Sequence, residues 1–386
     1  QDNAWIDEAV EKIVKKMDLV SERSRNKIPY TAKNGVHDDR SREDQTFSMD
    51  DGMNWWCNGF WAGMLWQMYH AAGDEKYAKI ARLSEEKLDR CFSDYYGLHH
   101  DVGFMFLPSA VADYRLTGNP DSRKRGLHAA NLLAGRFNPV GKFIRAWNDI
   151  PGSQDDTRGW AIIDCLFNIP LLYWASEQTG DPRYAQAATA HAGQAANYIV
   201  REDASTYHTY YMDVNTGAPR YGNTQQGYAD DSCWSRGQAW GIYGFLLSYI
   251  YTGDETMIAL SKRLANYFLN RLPEDYVCHW DLALVGTDAL RDSSSAAIAV
   301  CGLLELVKHL PVTDPDRERY LEWAKGIMSS LTKHYLMGKE EKGNGLLKHS
   351  VYHLASNKGV DECASWGDYF YVEALVRFTQ SWKLYW

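Results

Sequence analysis

The sequence predicts an all-α fold: a single domain, residues 1–386, built as one toroid of six helical hairpins. Two observations carry this. Small polar turns separate pairs of helix-like apolar segments at Ala72-Gly73-Asp74, Thr117-Gly118-Asn119, Thr179-Gly180-Asp181, Thr252-Gly253-Asp254 and Thr313-Asp314-Pro315. A glycine after a helix end suits a left-handed C-cap, and the Asp or Asn that follows suits an N-cap. The first residues of these turns stand 45, 62, 73 and 61 positions apart. That is too uneven for an open solenoid of equal repeats, so the hairpins are expected to close on themselves.

Taken in chain order, Ile6, Ala9, Ile13, Met17 and Val20 form one amphipathic stripe near the N-terminus, the mark of a helix resting on a core. The five turns then define five helix–turn–helix units. Phe245-Leu246-Leu247-Ser248-Tyr249-Ile250 precedes the fourth turn, and Leu260, Leu264, Tyr267 and Phe268 follow it at helical spacing. Phe370, Tyr371, Ala374, Leu375 and Phe378 mark a last helix, which pairs with the N-terminal one as the sixth unit. The long intervals between hairpins become loops at the end opposite the short turns, and the functional site is expected there. No linker or low-complexity stretch divides the chain.

Composition excludes several classes of function. Lys and Arg number 41 against 50 Asp and Glu, a net charge of −9, the opposite of the basic surplus a nucleic-acid binder carries. No apolar run reaches about 18 residues, so no membrane span is expected. Aromatic residues are numerous, with 15 Trp, 25 Tyr and 12 Phe, and their flat faces suit the C–H faces of sugar rings. The cysteines are Cys57, Cys91, Cys165, Cys233, Cys278, Cys301 and Cys363. Their odd number, the absence of any C-x-x-C pair and their apolar surroundings predict buried thiols rather than a disulfide framework. The chain begins Gln1-Asp2-Asn3 without Met, so a removed segment, either a secretory signal or a tag, is expected, with a periplasmic location and a cytoplasmic one as the alternative. There is no nucleotide loop, zinc helix, calcium loop or nucleophile elbow, and neither metal nor cofactor is expected.

Four stretches bear chemistry. In Tyr95-Tyr96-Gly97-Leu98-His99-His100-Asp101-Val102-Gly103-Phe104, Asp101 either caps the helix it opens or directs a carboxylate into the pore. His99 and His100 do not read as a metal pair, because adjacent side chains seldom converge and no third ligand follows at useful spacing. In Trp160-Ala161-Ile162-Ile163-Asp164-Cys165-Leu166-Phe167-Asn168, Asp164 interrupts an apolar run, and Trp160, Asp164 and Asn168 at i, i+4, i+8 are expected on one helix face. A carboxyl removed from water has a raised pKa, which a general acid requires; the alternative is a buried Asp satisfied by hydroxyl or backbone donors. In Trp234-Ser235-Arg236-Gly237-Gln238-Ala239-Trp240-Gly241, Arg236 and Trp240 at i, i+4 suit a carboxylate clamp beside a stacking platform, and Arg236 alternatively, or as well, pairs with Asp230 or Asp231. In His353-Leu354-Ala355-Ser356-Asn357-Lys358-Gly359, Ser356 and Lys358 can hold an anion.

Together the motifs His100-Asp101-Val102-Gly103-Phe104, Gly159-Trp160-Ala161-Ile162-Ile163-Asp164-Cys165 and Trp234–Gly241 resemble the unsaturated glucuronyl hydrolases, glycoside hydrolase family 88, from about residue 50 to the C-terminus. The resemblance implies an (α/α)6 barrel. The implied substrates are oligosaccharides left by polysaccharide lyases, which carry a 4,5-unsaturated uronic acid at the non-reducing end. It implies hydration of the C4=C5 vinyl ether rather than displacement at the anomeric carbon. By the same resemblance Asp164 is the general acid/base and Asp101 the second essential carboxylate. Trp55, Trp147 and Trp240 are stacking walls, and His208, Gln226 and Arg236 are polar contacts to the unsaturated sugar. Gln225 stands where relatives often carry His. Ser356 and Lys358 match most of an S-x-x-S-x-K loop for sulfated substrates, with His353 in place of its first Ser, so chondroitin- or heparin-derived disaccharides are expected. The competing expectations are an unsaturated rhamnogalacturonyl hydrolase, a sugar 2-epimerase and a non-catalytic sugar-binding barrel.

Overall fold

The computed structural model describes residues 3–43, 52–93, 97–338, 342–381 and 385–386; Gln1, Asp2 and the Tyr95-Tyr96 that open the first motif lie outside them. The helices are α1 (Ala4–Arg23), α2 (Phe60–Ala72), α3 (Glu75–Lys87), the short α4 (Arg90–Ser93), α5 (Val102–Phe106), α6 (Ala112–Thr117), α7 (Pro120–Ala134), α8 (Pro170–Thr179), α9 (Arg183–Gln194), α10 (Ser235–Thr252), α11 (Glu255–Leu269), α12 (Ser293–His309), α13 (Pro315–Ser330) and α14 (Ser365–Thr379). A π-helical turn at Leu107–Val111 joins α5 to α6.

An inner ring of α2, α5–α6, α8, α10, α12 and α14 closes where α14 packs on α2. Outside it, α3, α7, α9, α11, α13 and α1 each pack on their inner partner. The ring is the (α/α)6 barrel, and its sixth hairpin joins the two ends of the chain. Burial explains which helix goes where. Helix α10 is buried continuously from Ser235 to Ser248 and α12 from Ser293 to Leu303, so both need neighbours on every side. By contrast α1 buries only one face, Trp5, Ala9, Ile13, Met17, Val20 and Ser21, and remains outside.

The short turns form as their residues demand. Gly73, Gly118, Gly180 and Gly253 adopt φ of 67°, 75°, 72° and 74° at the C-caps. Next to them the side chains of Asp74, Asn119, Asp181 and Asp254 each accept from the backbone N–H two residues on, and Asp314 does the same at the fifth turn. All seven cysteines are buried and none forms a disulfide. No helix among the described residues is long and apolar enough to cross a membrane.

The long connections, each running from an outer helix to the next inner one, carry the strands: β1 (Thr31–Lys33), β2 (Val36–His37), β3 (Phe137–Asn138), β4 (Phe143–Ile144), β5 (Trp160–Ile162), β6 (Thr209–Met212), β7 (Pro219–Asn223), β8 (Ser350–His353) and β9 (Lys358–Ala364). They pair antiparallel as β2-β1-β9-β8, β3-β4 and β5-β6-β7. Every inner helix therefore directs its N-terminus toward this end. Below it the barrel axis is filled by Phe104, Phe167, Trp240 and Phe370, with Trp386 stacked on Phe370 at 5.9 Å.

Candidate active site

At the loop end lies a cavity of about 470 Å³. Its wall draws on each long connection except the one between α11 and α12. Trp55, Trp147, Trp240, Asp101, Asp164, Gln226, Arg236, Ser356 and Lys358 all line it, so the fold assembles nearly every expected site residue in one place. His208 does not reach the wall. It is buried behind Gln226, Nε2 to Nε2 at 3.3 Å, with its other nitrogen 2.5 Å from the Thr209 hydroxyl.

Asp101 precedes α5 but makes no side-chain cap bond, so of the two sequence readings the pore-directed one describes it. The Asn168 amide donates to Asp101 Oδ1 at 3.2 Å and to the Asp164 carbonyl at 3.1 Å, while its own oxygen accepts from the Phe104 N–H at 2.6 Å. Gly103 permits this approach: a Cβ there would stand 2.4 Å from Asn168 Cα.

Asp164 corrects one expectation. Residues 160–168 are not a helix with Trp160, Asp164 and Asn168 on one face. Trp160–Ile162 pairs with β6, Ile163–Phe167 is a 3-10 turn, and the α-helix begins only at Pro170. Strand pairing and a proline at the first helical position outweigh the apolar periodicity. The carboxylate is nevertheless enclosed, its side chain 14% exposed.

His100 Nε2 lies 3.2 Å from Asp101 Oδ1 and 3.1 Å from Asp164 Oδ1. His99 is pinned differently: its Nδ1 accepts from the Asp101 N–H at 3.1 Å and its Nε2 donates to the Asn54 carbonyl at 2.7 Å, which is the neutral tautomer. Burial, and then the charge of Asp101, raise the Asp164 carboxyl above the usual range despite His100. For Asp101 burial also pulls upward, but His100 outweighs it and holds the group below the usual range. Two neighbouring carboxyls are thus driven apart, the signature of an acid beside an ionised partner. His100 is held well above an ordinary histidine: burial opposes its charge, and Asp101 and Asp164 overcome that.

The ligand atoms of His100, Asp101 and Asp164 lie within 4.8 Å of one another. His99 is not among them; the two groups that join His100 are its neighbour Asp101 and, from a distant loop, Asp164. The same closeness is what an imidazolium hydrogen between two carboxylates requires.

Arg236 opens α10. Its guanidinium donates to the Val351 and Tyr352 carbonyls and to Gln226 Oε1 at 2.8 Å. Its nearest carboxylate is Asp292 at 3.8 Å, not Asp230 or Asp231; Asp230 instead accepts from the Thr224 N–H. Four rings surround the cation, Trp234 at 4.5 Å, Tyr352 and Trp366 at 5.4 Å and Trp56 at 5.8 Å. Burial lowers its pKa from the usual arginine value.

At the rim, Ser356 donates from its hydroxyl and its N–H to His353 Nδ1, at 2.6 and 3.0 Å, and His353 Nε2 donates to the Gln225 carbonyl at 2.9 Å. The substituted His353 is therefore the tie between two loops. Trp56, His99, Asn148, Trp234 and Tyr352 also line the cavity and were not singled out from sequence. Trp56 and Asn148 adjoin Trp55 and Trp147, and His99 and Trp234 lie two positions before Asp101 and Arg236, which is the signal the sequence offers for them.

Residues 20–369 match the model of Glycosyl Hydrolase Family 88. The chain is 42% identical over 383 residues to an unsaturated chondroitin disaccharide hydrolase of Streptococcus pneumoniae, covering 99% of this chain and 93% of that protein. It is similar to the crystal structure of an unsaturated glucuronyl hydrolase from Streptococcus agalactiae, with TM-score 0.90, 40% identity, and 100% and 94% of the two chains covered. An aspartate-to-asparagine mutant of the Streptococcus agalactiae enzyme, complexed with dGlcA-GalNAc6S, superposes with TM-score 0.83 at 40% identity, over 99% and 93% of the chains. With the barrel and these matches together, the chain belongs to glycosyl hydrolase family 88.

Proposed function

We propose that this protein releases the 4,5-unsaturated uronic acid from the non-reducing end of lyase-generated glycosaminoglycan oligosaccharides, with sulfated disaccharides among its substrates. The observation that carries this reading is the Asp101–Asp164 pair, joined by His100 and drawn to opposite sides of the usual carboxyl range, in an aromatic cavity of a family 88 barrel. The names of the relatives and the disaccharide in the Streptococcus agalactiae complex support the same class of substrate.

In this reading Asp164 transfers its proton to C4. The alkene electron pair forms the C4–H bond and leaves oxocarbenium character on C5 and the ring oxygen. Asp164, now a carboxylate, takes a proton from water as the water oxygen bonds to C5. The resulting hemiketal opens and expels the remaining sugar. Asp101 stays ionised, holds ring hydroxyls and favours the developing cation. Trp55, Trp147 and Trp240 pack against the sugar faces. Arg236 and Gln226, with His208 behind them, form the polar wall that meets the uronate. Ser356 and Lys358 stand at the cavity rim, where a sulfate on the second sugar is received.

The test is direct. Added to a lyase digest of chondroitin sulfate, the protein should abolish the ultraviolet absorbance of the conjugated uronate, and in D₂O the product should carry deuterium at C4. Unchanged absorbance on glycosaminoglycan digests, with turnover on pectin-derived digests, would replace this substrate class with the rhamnogalacturonan one.

A further inference from the structure

The site holds a group that the proposed chemistry has not used. His100 is fully buried, stands behind Asp101 and Asp164, and forms no part of the cavity wall, so it does not touch substrate. Its Nε2 is nearly equidistant from the two carboxylates, 3.2 Å from one and 3.1 Å from the other, and neither approach has the alignment of a settled hydrogen bond. Its Nδ1 meets no partner at good hydrogen-bond geometry, and the Cys165 thiol lies within reach of the ring. The backbone on either side is fixed, since the His100 N–H donates to the Ala146 carbonyl at 3.1 Å and the Asp101 N–H to His99. A single N–H between two acceptors at equal distance can serve either one after a small tilt of the ring.

Resting on the acid/base reading given above, we propose that His100 is a positioning residue whose Nε2–H follows the negative charge from Asp101 to Asp164 and back during turnover. Before reaction Asp101 is the ionised partner and takes the N–H. When Asp164 gives its proton to C4, its O–H bond breaks and the electron pair stays on the carboxylate. The N–H then turns to Asp164, which frees Asp101 to meet the oxocarbenium. When Asp164 takes a proton from water, the N–H returns. The transfer leaves the total charge of the site unchanged, one new carboxylate against one oxocarbenium, and the turn of the N–H pairs the new carboxylate with the imidazolium and Asp101 with the cationic sugar, so neither buried charge stands unpaired. The titratable groups that face the ring or its two carboxylates are Asp101 and Asp164 in contact, Cys165 within hydrogen-bond reach of the ring, His99 beside Asp101, Arg236 toward Asp164, His191 of α9 and His208. Among these the two aspartates alone are carboxylates, so removing His100 leaves them facing each other without a cation between them.

The experiment compares the unmodified enzyme with His100→Gln and His100→Ala on an unsaturated disaccharide, recording kcat and KM from pH 4 to 9. Without the cation both aspartates become harder to ionise. Both limbs of the kcat profile should therefore move to higher pH by about one unit or more, while KM stays within about threefold. His100→Gln keeps an N–H and should retain more kcat than His100→Ala, with the same displaced limbs. Limbs that stay in place in folded variants overturn the proposal. So does loss of wild-type activity to EDTA with recovery on added Zn²⁺, which would assign the trio to a metal. A measurement on the unmodified protein covers the case in which neither variant folds. Histidine ¹⁵N spectra should show one imidazole still doubly protonated at pH 8, lost in His100→Gln; spectra in which every imidazole is neutral there refute the idea. That readout needs no turnover, so it separates failure of this proposal from failure of the substrate assignment.

Discussion

Asp164 and Asp101 are the same residue type placed a few ångströms apart, yet their surroundings send them in opposite directions. Burial and Asp101 hold the proton on Asp164, while His100 strips it from Asp101. Positioned proton transfer gives about 10²- to 10⁴-fold in rate. Asp164→Asn should therefore lower kcat by at least about 100-fold with a modest change in KM, measured by disappearance of uronate absorbance. The pH profile of the unmodified enzyme follows from the same directions. Activity should rise as Asp101 ionises, below the ordinary carboxyl range, and fall as Asp164 loses its proton, above that range. Lys358 is tested apart from the chemistry. A charge-assisted contact to sulfate contributes roughly 1.5–3 kcal/mol, so Lys358→Ala should lower the ratio of kcat/KM for sulfated over unsulfated disaccharide by about tenfold or more. An unchanged ratio would remove the sulfate from this loop. Of the side chains in this site, sequence motif reading reached the carboxylates, Arg236 and the rim. It did not reach Asn168 as the bridge between the two aspartates, because that role depends on a contact across 67 positions of chain.

At the scale of elements, one glycine and one aspartate separate site-building from fold-building. Gly103 lies in α5 where the helix meets the Asn168 backbone. Gly103→Ala must push the two segments apart. Overpacking of this kind costs about 1–3 kcal/mol, and it should also disturb the Asn168–Asp101 bond and lower kcat. Asp254 caps α11 at the far end of the barrel. Asp254→Ala should cost about 0.5–2 kcal/mol and leave kcat unaltered. Thermal unfolding paired with turnover distinguishes the two, and a Gly103→Ala enzyme of wild-type stability and rate would refute the close-approach argument. The turn chemistry that located the hairpins is local and was readable without coordinates. The 160–168 segment was not, because strand pairing with β6 comes from residues about 50 positions away.

For the whole molecule, the ring topology places the N-terminal ends of the inner helices around one cavity. Partial positive charge at those ends and the Arg236 cation offset the chain's −9 for an anionic sugar. The opposite end is held by a buried network. Glu373 accepts from Tyr243, Tyr369, Arg377 and the Trp386 indole, and Arg377 also bridges to Glu305. Burial alone would raise Glu305, but the His309 hydrogen bond and the Arg377 charge bring it down to about 2. Its folded pKa is thus depressed, so its contribution is complete above the unfolded carboxyl value and is lost as pH falls toward about 2. At 1.36 kcal/mol per pKa unit this is about 3 kcal/mol. The unmodified protein should lose more stability than Glu305→Gln between pH 5 and 3 in urea unfolding, and parallel losses would show that Glu305 does not carry it.

The hairpin count, the closed ring and the motif residues that meet at the loop-end cavity were all contained in the order of residues. Helix periodicity, glycine caps and polar turn residues act over a few positions, and motifs keep their spacing in any conformation. Folding alone settled that Asp292 rather than Asp230 or Asp231 stands nearest Arg236, that Asp164 sits on a 3-10 turn beside a strand, and that His208 lies behind Gln226. It also brought His100 between two aspartates 63 positions apart. Each of these depends on which loops meet once the ring has closed, and contacts of that range leave no periodic trace along the chain.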